Sequence, residues 1–244
     1  MQRPRTSGNQ DALMIADALR AVEARIASAA ARAGRDPQSV TLVAVSKTVD
    51  APRVYAAYLN GVRNFGENRV EEGVPKQAGL PNDIVWHMIG HVQSRKVRDV
   101  VGHFSLVHSI DSLHLAEAFQ RRAEAAGVEV AVLMEVNMAR EPQKYGFAPD
   151  EVAAAAAVIA GMSHLKLQGL MTMAPVVTDP AEARPVFRGL RELRDALARS
   201  VPSVDWRHLS MGMTDDFEVA VEEGATLVRV GRAIFGERTT APKD

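Results

Sequence analysis

Short apolar runs, rich in β-branched and aliphatic residues, recur along the chain and alternate with longer stretches of helical character. Eight runs have the length of buried strands: 42–46, 62–66, 84–90, 104–110, 130–137, 165–173, 204–210 and 226–231. Seven helix-like segments lie between them: 51–60, 68–78, 91–101, 112–126, 149–161, 181–199 and 214–223. Near-continuous apolar strands joined by helices indicate a parallel sheet with helices on its outer side.

A further helix is predicted before the first strand. Residues 11–33 are rich in Ala, Leu, Arg and Glu, and Gly34 and Pro37 then end the helical pattern. Eight β–α units in 244 residues have the size of a TIM barrel. We therefore predict an α/β fold of the (β/α)8 type with an extra N-terminal helix. An open doubly wound sheet is the alternative, but no G-x-G-x-x-G follows the first strand.

The domain organisation follows from the absence of any shift in composition. No Pro/Ser-rich linker divides the chain, which favours one domain over residues 11–238. The first ten residues are polar and are predicted to form a flexible tail. Residues 1–9 lack the apolar segment of a signal peptide, and no apolar run approaches the roughly 20 residues of a membrane helix. We expect a cytoplasmic protein without membrane contact.

The composition is that of an ordinary globular protein, with 47% hydrophobic and 24% charged residues. The formal net charge of -1 provides no broad basic surface, so we expect no nucleic-acid partner. The chain contains no cysteine. Disulfides and thiolate metal sites are therefore excluded, and a reducing compartment is compatible with the sequence.

Lys47 follows the first predicted strand, in the segment "TLVAVSKTVD". The C-terminal ends of barrel strands form the rim on which ligands bind. A lysine there is either a solvated charge or an amine held in a pocket, and Lys47 taken alone favours the solvated charge. In a pocket, lost hydration and nearby cations lower the lysine pKa, and the neutral amine can form a Schiff base with a carbonyl.

Two strand–glycine–helix junctions follow the last two predicted strands. They are "HLSMGMTDDF" (208–217) and "VRVGRAIFGE" (229–237). Helix N-termini attract anions, and the loops after strands 7 and 8 of such barrels often bind phosphate. Ser210 offers a hydroxyl, Gly231 permits close backbone approach and Arg232 adds charge. Simple helix capping by Thr214 is the alternative, but two such junctions together favour a phosphate site.

Arg229 stands between Val228 and Val230 in the last predicted strand. It either forms a salt bridge, snorkels outward or faces a polar ligand. A pyridine nitrogen would suit it, because a guanidinium donates a hydrogen bond without releasing a proton. The amine, the anion site and this donor share one rim. Pyridoxal 5'-phosphate (PLP) has the matching aldehyde, phosphate and ring nitrogen.

Six segments, in order, resemble the pyridoxal phosphate homeostasis protein family, single-domain relatives of the N-terminal barrel of alanine racemase. They are "AVSKT" (44–48), "FGENRVEEG" (65–73), "WHMIGHVQSRK" (86–96), "KYGF" (144–147), "GLMTMAP" (169–175) and "LSMGMTDDFEVAVEEGATLVRVGRAIFG" (209–236). The resemblance covers nearly the whole chain beyond residue 10. It implies a PLP-binding barrel that acts in vitamin B6 homeostasis, without established catalytic turnover.

The resemblance also implies roles for individual residues. Lys47 is the expected Schiff-base lysine, Asn68 is expected near the cofactor, and Arg229 is expected to face the pyridine nitrogen. The expected phosphate ligands are Ser210, Met211, Gly231 and Arg232. Relatives often carry a small hydroxyl residue at position 232, so the arginine departs from the family pattern. No catalytic residue and no metal ligand is assigned.

A PLP-dependent amino-acid racemase is the main alternative function, with Tyr145 as the nearest candidate acid–base group. We expect no second, β-rich racemase domain, because the chain ends soon after the eighth unit. A metal hydrolase built on His87 and His91 is less well supported, since the pair lies at a strand end. An interaction module that binds partners through its outer helices also stays open. We expect a monomer that contacts PLP-dependent enzymes only transiently.

Overall fold

The computed structural model describes residues 6–237, in which eight parallel strands form a closed barrel in chain order. The strands are β1 (Thr41–Val45), β2 (Asn64–Glu67), β3 (Val85–Met88), β4 (Leu106–Ile110), β5 (Val130–Glu135), β6 (Leu165–Met171), β7 (His208–Ser210) and β8 (Leu227–Val230). β8 pairs with β1 and closes the sheet. The predicted (β/α)8 fold is confirmed, and each predicted strand overlaps one of these.

Helices cover the outside of the barrel. They are α1 (Thr6–Arg32), α2 (Ala51–Leu59), α3 (Val70–Gln77), α4 (Val97–Val100), α5 (Leu113–Ala126), α6 (Val152–Ala160), α7 (Arg184–Ser200), α8 (Phe217–Glu222) and α9 (Arg232–Phe235). The helix predicted at 91–101 is shorter, because a 3₁₀ turn at Ser94–Lys96 precedes α4. Residues 6–10 of the predicted tail are already helical. Residues 1–5 and residue 238 lie outside the described residues.

The extra N-terminal helix, α1, lies in the helical layer outside β1 and β8. It packs against α2, α8 and α9, and α9 has only four residues. Its buried residues recur every three or four positions, as an amphipathic helix requires: Ile15, Leu19, Val22 and Ile26. Arg25 and Arg32 form ion pairs with Glu218 and Glu222 of α8 at 2.8 and 2.7 Å. None of the helices described is long and apolar enough to cross a membrane.

The barrel interior has an apolar layer and a polar layer. The apolar layer is a separate buried cluster of Val43, Leu106, Leu133, Met171 and Leu227. Strand residues alternate between faces, so the positions two residues further along β4, β5 and β8 also face inward. These are His108, Glu135 and Arg229, all of them buried. The polar layer is therefore the one closer to the C-terminal rim of the barrel.

Candidate functional site at the barrel mouth

Lys47 lies half-buried at the C-terminal end of β1, between two backbone contacts from α3. Lys76 donates from Nζ to the carbonyl oxygen of Ser46 at 2.7 Å, and a carboxylate oxygen of Glu72 accepts the N–H of Thr48. Thr48 has a φ of 62°, in the left-handed region that β-branched residues rarely adopt. The residues before and after Lys47 are thus both fixed by one helix.

A buried ion cluster lies beside this segment. Nζ of Lys76 also contacts Oε1 of Glu67 at 2.7 Å and Oε1 of Glu72 at 3.2 Å, and the Ser46 hydroxyl donates to Glu67 at 2.7 Å. Glu67 is fully buried, and no described residue donates to its Oε2. Burial raises the pKa of Glu67, while the hydrogen bonds from Lys76 and Ser46 oppose that rise. The cluster joins β1, β2 and α3.

Arg229 lies inside the barrel and is only 4% exposed. Its Nη1 donates to Oγ of Ser210 at 2.6 Å, and its Nη2 donates to the carbonyl oxygen of Thr172 at 3.0 Å. Burial lowers the pKa of Arg229 to about 10, partly offset by Glu135 and Asp216, so the guanidinium stays charged at neutral pH. A guanidinium has five N–H groups, and two are used here. Within residues 6–237 no acceptor meets the other three, which remain for a ligand.

A line of hydrogen bonds runs from Arg229 across the barrel to Asn64. It continues from Ser210 Oγ to His108 Nδ1 at 2.8 Å, from His108 Nε2 to His87 Nδ1 at 3.0 Å, and from His87 Nε2 to Asn64 Oδ1 at 3.0 Å. Burial lowers the pKa of His87 to about 4, and burial together with His87 and Arg229 holds the pKa of His108 well below 6.5. Both imidazoles are therefore neutral at pH 7.

Neutral histidines give every bond in this line a fixed direction, because a neutral imidazole has one N–H donor and one acceptor nitrogen. His87 donates to Asn64, so its Nδ1 accepts from His108. His108 then accepts the proton of the Ser210 hydroxyl, whose oxygen accepts from Arg229. The single proton of that hydroxyl is thus held inside the barrel. The hydroxyl predicted to bind phosphate therefore uses its one donor on His108 and accepts one hydrogen bond from Arg229.

The loops after β7 and β8 meet at the rim through Arg232. Its guanidinium forms an ion pair with Asp215 of the β7 loop and a weaker one with Glu237 at 3.4 Å. Asp216 accepts the N–H of Met213 at 2.6 Å, and α8 begins only at Phe217. Thr214 therefore does not cap that helix. Arg232 ties the two loops together, and its charge is balanced by these carboxylates.

The backbone of these two loops supplies donors that sequence reasoning only partly identified. The N–H of Met211 is used, since it donates to the carbonyl oxygen of Leu227 at 3.1 Å. Among the described residues no acceptor receives the N–H of Gly212 or Gly231. Gly212 has a φ of 91°, and a Cβ there would lie 2.5 Å from Cβ of Ala220. These two glycine N–H groups are suited to an anion.

Asn68 lies on the other side of the mouth, directly after β2. It lines a cavity of about 440 Å³ between the loops that follow β2 and β3, together with His91. Gly90 allows the two loops to pack closely, because a Cβ there would lie 2.3 Å from the carbonyl oxygen of Asn68. Asn68 is therefore at the rim, in a segment whose backbone is closely confined, and its place near the cofactor stays a prediction.

Three further side chains lie together on this side of the mouth, where His91 contacts both Asp111 and Tyr145. Nδ1 of His91 contacts Oδ2 of Asp111 at 2.9 Å, and the His91 ring stacks on that of Tyr145 with centroids 3.9 Å apart. Glu135 faces the barrel interior, where burial and then Asp111 raise its pKa to about 7 against the influence of Arg229. Sequence reasoning missed Glu135, although a charge within the apolar run "VAVLMEVN" is the same signal that identified Arg229.

The geometry does not favour a metal site. Within residues 6–237 no three histidine or carboxylate side chains are grouped so that they could hold a metal ion. His87 is engaged with His108 inside the barrel, whereas His91 pairs with Asp111 at the rim. The two histidines considered for a metal hydrolase therefore do not converge on one point.

Known proteins resemble this chain over most of its length. The family profile described as "Alanine racemase, N-terminal domain" matches residues 18–239. A pyridoxal phosphate homeostasis protein of Aquifex aeolicus is 43% identical over 215 residues, which are 88% of this chain and 94% of the relative. An unknown protein from Bifidobacterium adolescentis, with a solved crystal structure, is 40% identical with a TM-score of 0.89, over 93% of this chain and 96% of that one. PipY of Synechococcus elongatus PCC7942, solved with PLP bound, is 36% identical with a TM-score of 0.80, over 91% of this chain and 100% of that one.

Proposed function

Because the chain belongs to the pyridoxal phosphate homeostasis protein family, we propose that it binds PLP and acts in intracellular vitamin B6 homeostasis. The observation that carries this proposal is Arg229, a buried cation in the barrel with three N–H groups left for a ligand. A related protein, PipY, has been solved with PLP bound. The relatives are named homeostasis proteins, which supports a carrier or regulator in preference to an enzyme.

The residues around the mouth suit the three polar parts of the cofactor. We assign Lys47 to the aldehyde, Arg229 to the ring nitrogen, and the N–H groups of Gly212 and Gly231 to the phosphate. Ser210 serves this site through Arg229, which it orients from inside the barrel. Met211 and Arg232 contribute by shaping and joining the two phosphate loops.

PLP supplies an aldehyde that reacts with amines and, in enzymes, an electron sink. Bound at this mouth, PLP would be held through its aldehyde by the Lys47 amine, in a condensation that releases the aldehyde oxygen as water. Arg229 would donate to the ring nitrogen without protonating it, because the guanidinium stays charged at neutral pH. An unprotonated pyridine is a weaker electron sink than one paired with a carboxylate, which disfavours broad carbanion chemistry without forbidding racemisation.

Visible absorption of the protein mixed with PLP tests this assignment. We expect a band that borohydride removes, with the reduced adduct mapped to the peptide containing Lys47. Lys47→Ala should abolish the band. Lys166→Ala is the matched control, since Lys166 is an exposed lysine paired with Glu129 at 2.8 Å. Adduct formation at another lysine, or a band that survives Lys47→Ala, would refute the covalent assignment.

The proposal extends to the location, the oligomeric state and the protein partners of this chain. We propose a cytoplasmic monomer that passes PLP to PLP-dependent enzymes through transient contacts. Light scattering of the protein with and without PLP tests the monomer, and a dimer in both conditions would contradict it. Racemisation of alanine or serine at an appreciable rate would instead favour the racemase alternative.

A further inference from the structure

The backbone on both sides of Lys47 is held by α3, a helix that carries none of the residues predicted to touch the cofactor. We propose that Lys76 and Glu72 of α3 are positioning residues, which hold the Lys47 amine in the direction needed to react with an aldehyde. This inference rests on the proposed function, because it concerns the same lysine.

The two contacts fix the backbone at the residues that flank Lys47. Lys76 holds the carbonyl oxygen of Ser46 at 2.7 Å, and Glu72 accepts the N–H of Thr48. The direction of a Cα–Cβ bond follows from the backbone atoms around it. With both neighbours anchored, the Lys47 side chain leaves the strand in one direction.

The conformation of Thr48 shows that the segment needs such anchors. Its φ of 62° is unfavourable for a threonine, and Arg140 is the only other non-glycine residue in the described part of the chain with a positive φ. A strained residue persists only where its surroundings over-determine its conformation. Here the N–H of Thr48 is bonded to Glu72, and the N–H of Val49 closes a turn onto the carbonyl oxygen of Ser46 at 3.0 Å.

All three N–H donors of the Lys76 ammonium have an acceptor. Its side chain is 8% exposed, and an ammonium has three N–H donors. These meet three acceptors: Ser46 O at 2.7 Å, Glu67 Oε1 at 2.7 Å and Glu72 Oε1 at 3.2 Å. Glu67 and Ser46 are fully buried, so that side of the cluster cannot relax into solvent, whereas the Glu72 side chain is 30% exposed. The cluster is therefore a rigid support for the lysine segment.

The experiment uses a variant in which no buried carboxylate is left unpaired. Lys76→Met alone would strand the buried Glu67, so the test variant is the double substitution Lys76→Met/Glu67→Gln. Lys166→Met is the control, because it removes an exposed lysine far along the chain. Borohydride trapping of PLP on the Lys47 peptide is followed over time by mass spectrometry. Amide deuterium exchange at Thr48 is measured in the protein without PLP.

We expect the double variant to trap PLP on Lys47 at least about tenfold more slowly, since small misplacements of a reacting group carry large rate costs. The Thr48 amide should exchange at least about tenfold faster. Adding Thr48→Gly should recover part of the trapping rate, because glycine adopts a positive φ without external support. A purely structural role of Lys76 predicts no such recovery.

Three outcomes decide the matter. A folded double variant that traps PLP on Lys47 at the wild-type rate overturns the positioning role and leaves the proposed function intact. A slow double variant that Thr48→Gly does not accelerate assigns the loss to general damage around α3, which also overturns the positioning role. If the wild-type protein is never labelled at Lys47, the proposed function fails, and the Thr48 exchange rates alone decide whether α3 anchors the segment.

Discussion

Replacing Glu135 by glutamine probes the charge balance inside the barrel. Burial and the neighbouring Asp111 raise the pKa of Glu135 from 4.5 to about 7. The folded state therefore binds this proton more tightly than the unfolded state does. The stability that Glu135 contributes is fully present below pH 4.5 and is lost as the pH rises through 7.

The magnitude follows from the size of the shift. A pKa difference of one unit corresponds to about 1.4 kcal/mol, so a rise from 4.5 to about 7 costs the folded protein about 3 kcal/mol at pH 8. Glutamine keeps the shape of the side chain and removes its ionisation. We expect Glu135→Gln to be more stable than the wild type by up to about 3 kcal/mol at pH 8, or about 6–12 °C in Tm, and equal to it near pH 4.

The comparison must be made between the two proteins, because the buried histidines act in the opposite direction. Burial lowers the pKa of His87 from 6.5 to about 4, so the stability it contributes is present above pH 6.5 and is lost as the pH falls through 4. The contributions of His87 and Glu135 therefore oppose each other between pH 4.5 and 6.5. Only the difference between variant and wild type isolates Glu135.

Thermal and urea unfolding of both proteins, without PLP, from pH 4 to pH 8 measure this difference. Glu129→Gln is the matched control, since Glu129 is an exposed partner of Lys166 and should show no such pH dependence. A stability difference that is flat across this range, or that favours the wild type at pH 8, would show that Glu135 is ionised at little cost. The electrostatic description of the barrel interior would then be wrong.

Three further changes test other parts of the structure. Gly169→Ala should lower the free energy of unfolding in urea by about 3 kcal/mol, because Gly169 has a φ of 148° and a Cβ there would lie 2.0 Å from the carbonyl oxygen of His208. A variant as stable as the wild type would contradict this. Glu223→Gln should lower the free energy of unfolding by about 2 kcal/mol at pH 7 and far less at pH 3, because the buried Glu223 carboxylate contacts three arginines of α7 at 3.0–3.1 Å. An equal loss at both pH values would exclude the carboxylate charge as the cause. Arg229→Gln should shift the absorption band of bound PLP while borohydride still labels Lys47, and an unshifted band would place the ring nitrogen away from Arg229.

The fold was largely predictable because its signal is local. The strands of the structure have three to seven residues and coincide with apolar runs along the chain. A charge inside such a run marks a residue that faces a polar interior. Arg229 and Glu135 are both charges of this kind, whereas Lys47 is distinguished only by its place at a strand end. That Lys47 and Arg229 bind a cofactor stays a prediction.

The partners of these residues were not predictable, because they come from distant parts of the chain. The hydroxyl of Ser210, which is predicted to bind phosphate, also contacts His108, 102 positions away in the chain. Lys76 lies between Pro75 and Gln77 in a short helix, and nothing local distinguishes it from a surface lysine. Arg232 likewise meets Asp215 only once the last two strands are paired. Such contacts depend on tertiary packing that periodicity does not encode.

The closure of the barrel has a consequence for synthesis on the ribosome. β1 pairs with β8, and Arg25 near the start of the chain meets Glu218, 193 residues later. Successive strands can associate as they emerge, but β1 keeps one unpaired edge until β8 has been translated, and α1 has only α2 of its three packing partners until α8 and α9 follow. Since such edges favour misassociation between nascent chains, early chaperone contact with β1 would protect this protein during translation.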